Sequence, residues 1–560
     1  MVVLYATLFL SLGLIDFDVR RPGWWRAQRF RLAVGVPLVF AYVYVVMPPL
    51  VFPQAFAYLL LTLIPNAVYT IALATRTAVL SRRIVSIRRT PVWRSLIATV
   101  VVAAFAGILA VLPIVDASGL RDVTQATVTS DSAPAAELTH VRVVPVESAI
   151  FSGNKVVGQL GAYYHVGTFN VQSASGRLVW VAPLDYQGVV QWLARRTSPG
   201  VVVVSAENPD APAELRQRAP MRYVPSAMLN ENLERHVYLT YGTEQILETT
   251  LQLDDHGDPR YVATLGRPTI GWSGQRVTAV VIIDPSTGAM ERIPRDRFNA
   301  VPLWASRLYP ADLALAYNDW FGRYIHGWWN ARIARRDVHL PARDEVFGML
   351  VAGGRFVWFV DHTSPATTDN SMTGFTYMDS RSGALTYFTA SGGQFNSTAA
   401  ESAVGANALI RQGRLIPTQP LLYNAVGRTT WVVPVVADNG KFQNVALVEA
   451  SNGHVIVGNG ASASPATDAF DAYRTFLGVS GASPPEKAGA LTGTIDRIGT
   501  APDGTIYFTL TGDRQIFALQ RSGEPGALLA RSGDHVRFVV TRVNGRSSLA
   551  GGFHDDAVGR

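Results

Sequence analysis

Three carboxylates recur at one spacing in the sequence, each of them four residues before a glycine. The pairs are Asp284 with Gly288, Asp379 with Gly383, and Glu449 with Gly453. An apolar or aromatic run precedes each carboxylate, and a Ser, Thr or Asn stands directly before each glycine. Such carboxylates could bind a common ligand, or they could accept backbone N–H bonds and fix the turn of a β-hairpin.

The hairpin is the favoured interpretation, because β-branched residues suit strands and glycine supplies the positive φ that tight turns need. A degenerate copy of the pattern begins at Gly200 and ends at Pro209. Repetition of one local pattern indicates an array of related β-rich modules.

Two further groups of polar residues could bind a metal or transfer protons. They are Asp254, Asp255, His256 and Asp258, and, further along, Asp361, His362 and Asp369. The first group lacks the loop spacing of a calcium-binding hand, and polar turns are the favoured interpretation of both groups. The sequence contains no zinc-protease, phosphate-loop, dinucleotide or nucleophile-elbow motif. It therefore predicts no catalytic residue, no metal site and no cofactor.

A helix predicted over residues 311–330 offers the best candidate contact surface. Trp320, Tyr324 and Trp328 repeat at four-residue spacing, which would place them in one stripe. Basic residues lie in and after this stretch: Arg323, His326, Arg332, Arg335 and Arg336. The favoured interpretation is that the stripe packs between the second and third modules. The alternative is a surface that contacts a partner, an anionic wall polymer or the outer leaflet of a membrane.

The positive charge of the chain is confined to its N-terminal part. Residues 1–116 contain 11 arginines, no lysine and 3 acidic residues, whereas the remainder has 38 basic and 39 acidic residues. The basic balance is therefore no sign of a nucleic-acid surface, and we expect no nucleic-acid partner. The chain has no cysteine, which excludes disulfides and thiol chemistry.

Three uncharged apolar runs, residues 32–51, 55–74 and 96–115, have the length of membrane-spanning helices. Arginines flank the first run and fill the connection between the second and third, whereas the connection 47–54 has none. The positive-inside rule then predicts a multi-pass membrane protein with residues 117–560 outside the cytoplasm. Residues 2–15 form either a short crossing helix or an interfacial segment. Within the second run, Pro65-Asn66 is interpreted as a kink whose Asn bonds a neighbouring helix, and the alternative is a polar site inside the bilayer.

The predicted fold class is a helical membrane segment followed by an extracytoplasmic α+β region. The predicted ranges are a transmembrane region (1–116), a linker (117–138), a degenerate module (139–250), three further modules (251–345, 346–412 and 413–480), and a five-stranded unit (488–556). The strand number and spacing of the last unit are typical of a small OB-like barrel.

The repeated module resembles PepSY-type domains, in which a helix precedes a small antiparallel sheet with a strand-Asp-x-x-Thr-Gly-strand signature. The matching positions are Asp284/Gly288, Asp379/Gly383 and Glu449/Gly453. The whole chain is also similar to a group of uncharacterised Gram-positive membrane proteins with several N-terminal spans, tandem PepSY-like units and a C-terminal OB-like unit. The stretches that support this similarity are residues 267–274, 324–330, 373–375 and 422–424. The resemblance implies extracytoplasmic regulation, often restraint of a protease or sensing in the envelope.

The leading hypothesis is a non-enzymatic interaction or regulatory scaffold of the bacterial cell envelope. The expected partners are the membrane and an envelope protein, a secreted protease or an anionic wall polymer. A PepSY-type inhibitor or sensor acting on a secreted protease is the first alternative, and a cell-wall hydrolase is the second.

Overall fold

The structure is a computed structural model of the 560-residue chain. It describes residues 1–16, 24–81, 92–130, 140–218, 220–366, 369–390, 393–425, 428–458, 468–473, 489–500, 505–513, 515–520, 529–543 and 547–557. The chain divides into two compact units, and the boundary between them falls between Asn396 and Ser397.

The first unit begins with helices α1 (Val2–Ser11), α2 (Trp24–Val46), α3 (Leu60–Ser81) and α4 (Val92–Val115). A short 3₁₀ turn follows α1 at Leu12–Leu14, and another precedes α3 at Gln54–Leu59. Three segments, Trp24–Val46, Gln54–Ala72 and Trp93–Val115, are long and apolar enough to cross a membrane by length and composition. Only 17%, 39% and 11% of their most apolar windows is buried, so most of these apolar residues face outward.

Polar side chains of α3 hold the end of α1. Thr62 Oγ1 donates to Leu10 O at 2.7 Å. Asn66 Nδ2 donates to Gly13 O at 2.9 Å and to Ile15 O at 3.0 Å. Gly13 lies in the 3₁₀ turn after α1 and Ile15 follows that turn, so α3 supplies donors to carbonyls where this helical segment ends. The prediction that Asn66 bonds a neighbouring helix is confirmed.

A buried ion pair joins the chain just after α1 to α2. Arg31 Nη1 lies 3.0 Å from Asp16 Oδ2, and Arg31 Nη2 donates to Thr70 Oγ1 at 3.0 Å. The two charged side chains are only 5% and 1% exposed. Helix α2 begins before the predicted span and includes Arg31, whose charge is tolerated because Asp16 neutralises it.

The connection between α2 and α3 packs against the region that follows the helices. Leu50 N donates to Gly242 O at 2.9 Å, and Tyr238 Oη donates to Pro48 O at 2.8 Å. Gly271 has φ +59°, and a Cβ at this position would lie 2.0 Å from Leu109 O of α4. Only glycine allows this loop to approach α4 so closely.

The range predicted as a linker contains helix α5 (Ala117–Val123) and strand β1 (Thr127–Thr129). Helix α5 is separated from α4 by a single residue, Asp116, which caps it by accepting from Gly119 N at 3.1 Å. Strand β1 joins the third sheet, described below. Residues 131–138 of the predicted linker lie outside the described residues.

Four sheets follow in chain order. The first contains β2 (Tyr164–Val166), β3 (Asn170–Ala174), β4 (Arg177–Tyr186), β5 (Val201–Ser205) and β6 (Glu214–Arg216). The second contains β7 (Gln245–Leu253), β8 (Pro259–Arg267), β9 (Arg276–Ile283) and β10 (Met290–Pro294). The third contains β11 (Leu340–Pro341), β12 (Phe347–Val351), β13 (Arg355–Thr363), β14 (Gly374–Asp379) and β15 (Leu385–Thr389). The fourth contains β16 (Ile416–Pro417), β17 (Leu421–Ala425), β18 (Arg428–Val436), β19 (Phe442–Glu449) and β20 (Val455–Val457).

The four sheets share one topology. In each, the last three strands form an antiparallel meander, and the strand or strands directly before it pair with its first strand. The register of the second sheet is typical, with Tyr261 opposite Ile283 and Met290 opposite the same Ile283. The single parallel pair among these sheets in the described chain joins β1 to β15. The repeated sequence pattern therefore corresponds to a repeated strand arrangement.

A helix precedes each sheet: α6 (Val146–Val157), α8 (Leu233–Tyr241), α9 (Ala311–Arg323), and α11 (Ser397–Ala406) with α12 (Ala408–Gln412). The short α7 (Val189–Arg195) lies between β4 and β5. Helix α9 packs against β11 and β13, and α11 packs against β16, β18 and β19. The predicted ranges 251–345 and 346–412 assigned these two helices to the module before; in the structure each buries its apolar face on the sheet after it.

Buried side chains join the first three sheets. Apolar residues of the first and second sheets, among them Val181, Val203 and Tyr261, form one core cluster. Arg307 is 95% buried at the meeting point of all three sheets. Its Nη1 donates to Asn170 Oδ1 at 3.2 Å, its Nη2 pairs with Glu248 at 3.1 Å, and its guanidinium lies over the ring of Trp358. These contacts make residues up to 396 one compact body.

The second unit contains the fourth sheet and a closed five-stranded barrel. The barrel strands are β21 (Gly489–Thr500), β22 (Thr505–Leu510), β23 (Ile516–Gln520), β24 (His535–Val543) and β25 (Ser547–Asp555). They close in the order β21-β22-β23-β25-β24, and β23 pairs with β25 in parallel. Its interior is aromatic, with the Phe508 ring 5.4 Å from Phe517 and 5.0 Å from Phe538.

Candidate functional site

The first carboxylate of the repeat fixes a turn, as predicted. Asp284 Oδ1 accepts from Ser286 N at 2.8 Å and Thr287 N at 3.2 Å, and Gly288 N donates to Asp284 O at 2.8 Å. Partial burial acts to raise the pKa of Asp284, but these backbone N–H groups and the Arg260 guanidinium lower it overall. Gly288 has φ +77°, the conformation that the spacing predicted.

The other two turns are built in the same way, with one difference. Asp379 Oδ1 accepts from Arg381 N at 3.0 Å and Ser382 N at 2.8 Å. Glu449 instead accepts from side chains, Ser451 Oγ at 3.1 Å and Asn452 Nδ2 at 2.8 Å. The extra methylene of glutamate carries its carboxylate past the backbone N–H groups that aspartate reaches. Gly383 and Gly453, with φ of +76° and +71°, each donate to the carboxylate residue's own carbonyl.

An arginine at the start of the preceding strand faces each of these carboxylates, a feature that the sequence reasoning missed. The ion-pair distances are 2.8 Å for Arg260 and Asp284, 4.0 Å for Arg355 and Asp379, and 3.4 Å for Arg428 and Glu449. The signal was present, because each of the strands β8, β13 and β18 has an arginine in its first two positions. All three carboxylates are thus engaged within their own sheets.

The aromatic helix predicted over residues 311–330 is interrupted in the structure. Helix α9 ends at Arg323, and a short helix, α10 (Gly327–Trp329), runs into a π-helical turn, Asn330–Ala334. Gly327 has φ +77°, and His326 is not helical. Because the helix breaks between Tyr324 and Gly327, Trp320, Tyr324 and Trp328 do not continue along one helical face. All three are partly buried.

Three of the basic residues nominated with the stripe already have partners, and one of them, Arg336, has its Nε 3.5 Å from Asp337 Oδ2. Arg323 Nε lies 3.0 and 2.9 Å from the two carboxylate oxygens of Asp319, and His326 Nε2 lies 3.0 Å from Asp337 Oδ2. The more accessible residues follow them. Trp329 is 71% exposed and Ile333, which the sequence reasoning did not single out, is 70% exposed.

We call residues 324–336 the aromatic–basic segment. Large apolar and cationic side chains are exposed together within it: Trp329, Arg332, Ile333, Arg335 and Arg336. A large exposed tryptophan beside an exposed isoleucine is unusual for a solvent-facing surface and is typical of a contact site. The three arginines give this surface a positive charge, which favours an anionic partner.

The aromatic–basic segment is connected to the last spanning helix through α5. Helix α5 packs against both α9 and α10. Arg121 of α5 donates from Nε to Phe321 O at 3.2 Å, and its guanidinium lies 5.2 Å from the centre of the Phe321 ring. Since α5 starts one residue after α4 has ended, the segment is held close to the end of that apolar helix.

The structure does not bring the polar groups considered for catalysis or metal binding together into one site. Asp254 Oδ1 accepts from the backbone N–H groups of His256 and Asp258 at 3.0 and 2.9 Å, which makes a turn. Asp361 and His362 are consecutive in β13, so their side chains point to opposite faces of the sheet. No group of three or more metal-binding side chains occurs among the residues that the structure describes.

A buried histidine pair lies under α9, and sequence reasoning found only one of its members. His339 Nδ1 lies 2.9 Å from His362 Nδ1, and His362 Nε2 lies 2.9 Å from Asn318 Oδ1. Thr376 Oγ1 also donates to this amide oxygen, and His339 stacks on Tyr387 with 4.7 Å between ring centres. An amide oxygen only accepts, so His362 carries its proton on Nε2 and its Nδ1 accepts from His339.

Both histidines are held neutral. Burial, with the nearby Arg121 charge, lowers the pKa of His339 to about 4. Burial, with the neighbouring His339, lowers the pKa of His362 well below its usual value. Protonation of His362 would remove the acceptor of their shared hydrogen bond, and protonation of both rings would place two cations in contact. The pair is therefore suited to hold α9 on the third sheet at neutral pH.

Comparison with known proteins adds no relative to this description. No model of a known protein family matches the sequence, and no curated protein matches it either.

Proposed function

We propose that this protein is a membrane-anchored, extracytoplasmic interaction or regulatory scaffold of the cell envelope. The observation that supports it best is the attachment of the apolar helices to the sheets. The arginine-free connection at Met47–Gln54 and the end of α4 both contact the sheet region, through Leu50, Tyr238 and Gly271. These contacts support a location of the sheets away from the arginine-rich connections, on the side that the positive-inside rule assigns to the exterior.

The tertiary arrangement also supports the proposed resemblance to PepSY-type domains. A helix followed by an antiparallel meander recurs four times, and three of the copies have the carboxylate–glycine turn. For the last unit, closure of five strands in the order β21-β22-β23-β25-β24 supports the proposed OB-like barrel.

In this proposal the aromatic–basic segment is the surface that meets a partner. Trp329 and Ile333 would supply apolar contact area, and the flanking arginines would attract an anionic envelope polymer or an acidic face of an envelope protein. Because the segment belongs to the same compact unit as the spanning helices, a bound partner would be held at the membrane surface.

The orientation can be tested without background because the chain has no native cysteine. Single cysteines would be placed at Asp255, which is exposed in a turn of the second sheet, and at Trp25, which is exposed at the start of α2. In intact cells a membrane-impermeant maleimide should label Asp255→Cys and leave Trp25→Cys unlabelled until the membrane is opened. The reverse pattern would overturn the proposed location.

The interaction surface needs a second test. A photo-crosslinking residue at Ile333 in the full-length protein should trap one defined envelope component in living cells. Leu303 is an apolar residue that is 85% exposed outside the segment, and it provides the matched control. Equal crosslinking from both positions would mean that Ile333 reports only general crowding and would remove the segment from the proposal.

A PepSY-type regulator of a secreted protease remains a second candidate, supported by the repeated helix-and-meander units. Full-length protein in nanodiscs should then slow, in proportion to its concentration, the digestion of a reporter peptide by the host's secreted proteases. Nanodiscs without the protein are the control, and unchanged digestion would remove this candidate while leaving the scaffold unaffected.

A further inference from the structure

A polar cavity lies in the first unit where α5, β9, α9 and the turn of the third sheet meet. Its volume is about 240 Å³, and its polar lining comes from Thr124, Gln125, Arg276, Arg295, Tyr309 and Tyr317. These residues belong to four separate parts of the chain, so only the packed unit forms the cavity. It is distinct from the aromatic–basic segment and shares no residue with it.

The cavity has a positive charge without a counter-charge. Arg276 and Arg295 are both exposed at its edge, and no carboxylate is among its lining residues. Within the described part of the chain neither guanidinium has an ion pair, unlike Arg260, Arg307 and Arg323 of the same unit. Two guanidinium groups facing one space repel each other and are stabilised by an anion placed between them.

The cavity also offers a neutral hydrogen-bond donor. Arg295 Nη1 donates to Tyr309 Oη, so the tyrosine's own proton remains free to donate to a ligand. Burial raises the pKa of Tyr309 to about 12 although Arg295 acts to lower it, so this hydroxyl stays protonated at neutral pH. Tyr317 Oη donates to Gln275 O at 2.9 Å, which fixes its ring in the wall of the cavity.

We propose that this cavity binds a phosphate ester of a small alcohol, with the phosphate oxygens between Arg276 and Arg295 and one of them accepting from Tyr309. Guanidinium groups bind phosphate through paired N–H donors, and two of them match the charge of a phosphate monoester or hold a diester. The cavity is smaller than a typical drug-sized pocket, so it suits one phosphate with a substituent the size of glycerol.

The phosphate ester could come from solution or from the bilayer. Thr124 follows the last residue of α5, a seven-residue helix that starts one residue after α4 ends. A helix of that length spans about 10 Å. The cavity is therefore within reach of the phosphate groups of the leaflet next to the end of α4.

The test uses the full-length protein in nanodiscs, with sn-glycerol 3-phosphate as the soluble probe in calorimetry. The first nanodiscs contain only phosphatidylcholine, and the second contain added phosphatidylglycerol, whose retention is read by native mass spectrometry. The variants are the double substitution Arg276→Gln with Arg295→Gln, the neutral change Tyr309→Phe, and Arg297→Gln as control. Arg297 is exposed two residues from Arg295 and does not line the cavity.

A site for a free phosphate ester predicts that affinity for the soluble probe falls more than roughly 10-fold in the double variant and a few-fold in Tyr309→Phe. The affinity of Arg297→Gln should not change, and this pattern supports the proposal. If the wild type retains phosphatidylglycerol, the double variant loses it and the soluble probe does not bind, the lipid headgroup is the source of the phosphate ester. Failure of both probes, or equal binding by the double variant with an unchanged unfolding temperature, overturns the proposal. None of these results tests the aromatic–basic segment, because the cavity and that segment share no residue.

Discussion

The buried histidine pair predicts that the third sheet loosens as the pH falls. In the folded protein the pKa of His339 is about 4, whereas an unfolded histidine titrates near 6.5. Because the unfolded chain takes up a proton more readily, this side chain contributes full stability above pH 6.5. That stability is lost progressively as the pH falls from 6.5 towards 4.

The size of the effect follows from the two pKa values. Between pH 7.5 and pH 5.0 the difference amounts to about 2 kcal/mol, which raises the equilibrium constant for opening by roughly 30-fold. The lowered pKa of His362 adds to this in the same direction. Replacement of His339 by Gln keeps an amide N–H for the His362 Nδ1 acceptor while removing the titrating group. We therefore expect His339→Gln to reduce the change in opening free energy between pH 7.5 and pH 5.0 by at least the amount that His339 contributes.

The absence of native cysteine allows a local measurement. Val360 is 2% exposed on β13, and its carbonyl accepts from Thr376 beside the pair. A cysteine at Val360 should react with a thiol reagent only when the sheet opens. Its rate in detergent-solubilised full-length protein, divided by the rate of an unfolded peptide at the same pH, gives the opening constant.

Wild-type and His339→Gln backgrounds would be compared from pH 7.5 to 5.0. His256, which is exposed in a turn of the second sheet, provides the control substitution His256→Gln, and this should leave the profile unchanged. If the opening constant depends on pH in the same way in the wild type and in His339→Gln, the neutral histidine pair does not stabilise the third sheet.

Three further predictions concern stability. Gly288→Ala should lower the free energy of unfolding, measured by thermal unfolding, by about 2 kcal/mol more than Gly176→Ala does. Both glycines have positive φ, but only a Cβ at Gly288 would meet another side chain, the Tyr223 ring at 2.5 Å. Arg307→Met should destabilise the first unit by about 3 kcal/mol in denaturant unfolding, because it leaves buried acceptors and a carboxylate without their donor. Asn66→Leu should lower the free energy of unfolding in denaturing detergent by about 1 kcal/mol, because the carbonyls of Gly13 and Ile15, just after α1, lose their donor.

Local patterns in the sequence were sufficient for features that depend on a few neighbouring residues. The three apolar runs became helices, and the Asp–Gly spacing became turns with glycine at positive φ. The bond from Asn66 to a neighbouring helix was also foreseen. Each of these follows from chain length, side-chain polarity or backbone freedom, which are properties of a short segment.

The predictions that failed required knowledge of distant contacts. The four-residue spacing of Trp320, Tyr324 and Trp328 predicted one helical stripe, but Gly327 adopts a positive φ and ends the regular helix. Helix α9 was assigned to the second module because it follows that module in sequence. Its apolar face in fact packs on β11 and β13 of the third sheet.

The order of residues along the chain is enough to place the apolar helices, the turns and the repeated β-rich pattern, because each of these depends on a short segment. Only the tertiary structure brought His339 to His362, separated by 23 residues, and assembled Thr124, Arg276 and Arg295 around one cavity. Such groups meet because the sheets pack against each other and against α5 and α9. The burial that lowers the pKa of the histidines, and the cavity that two arginines line together, arise from that packing and from no local pattern.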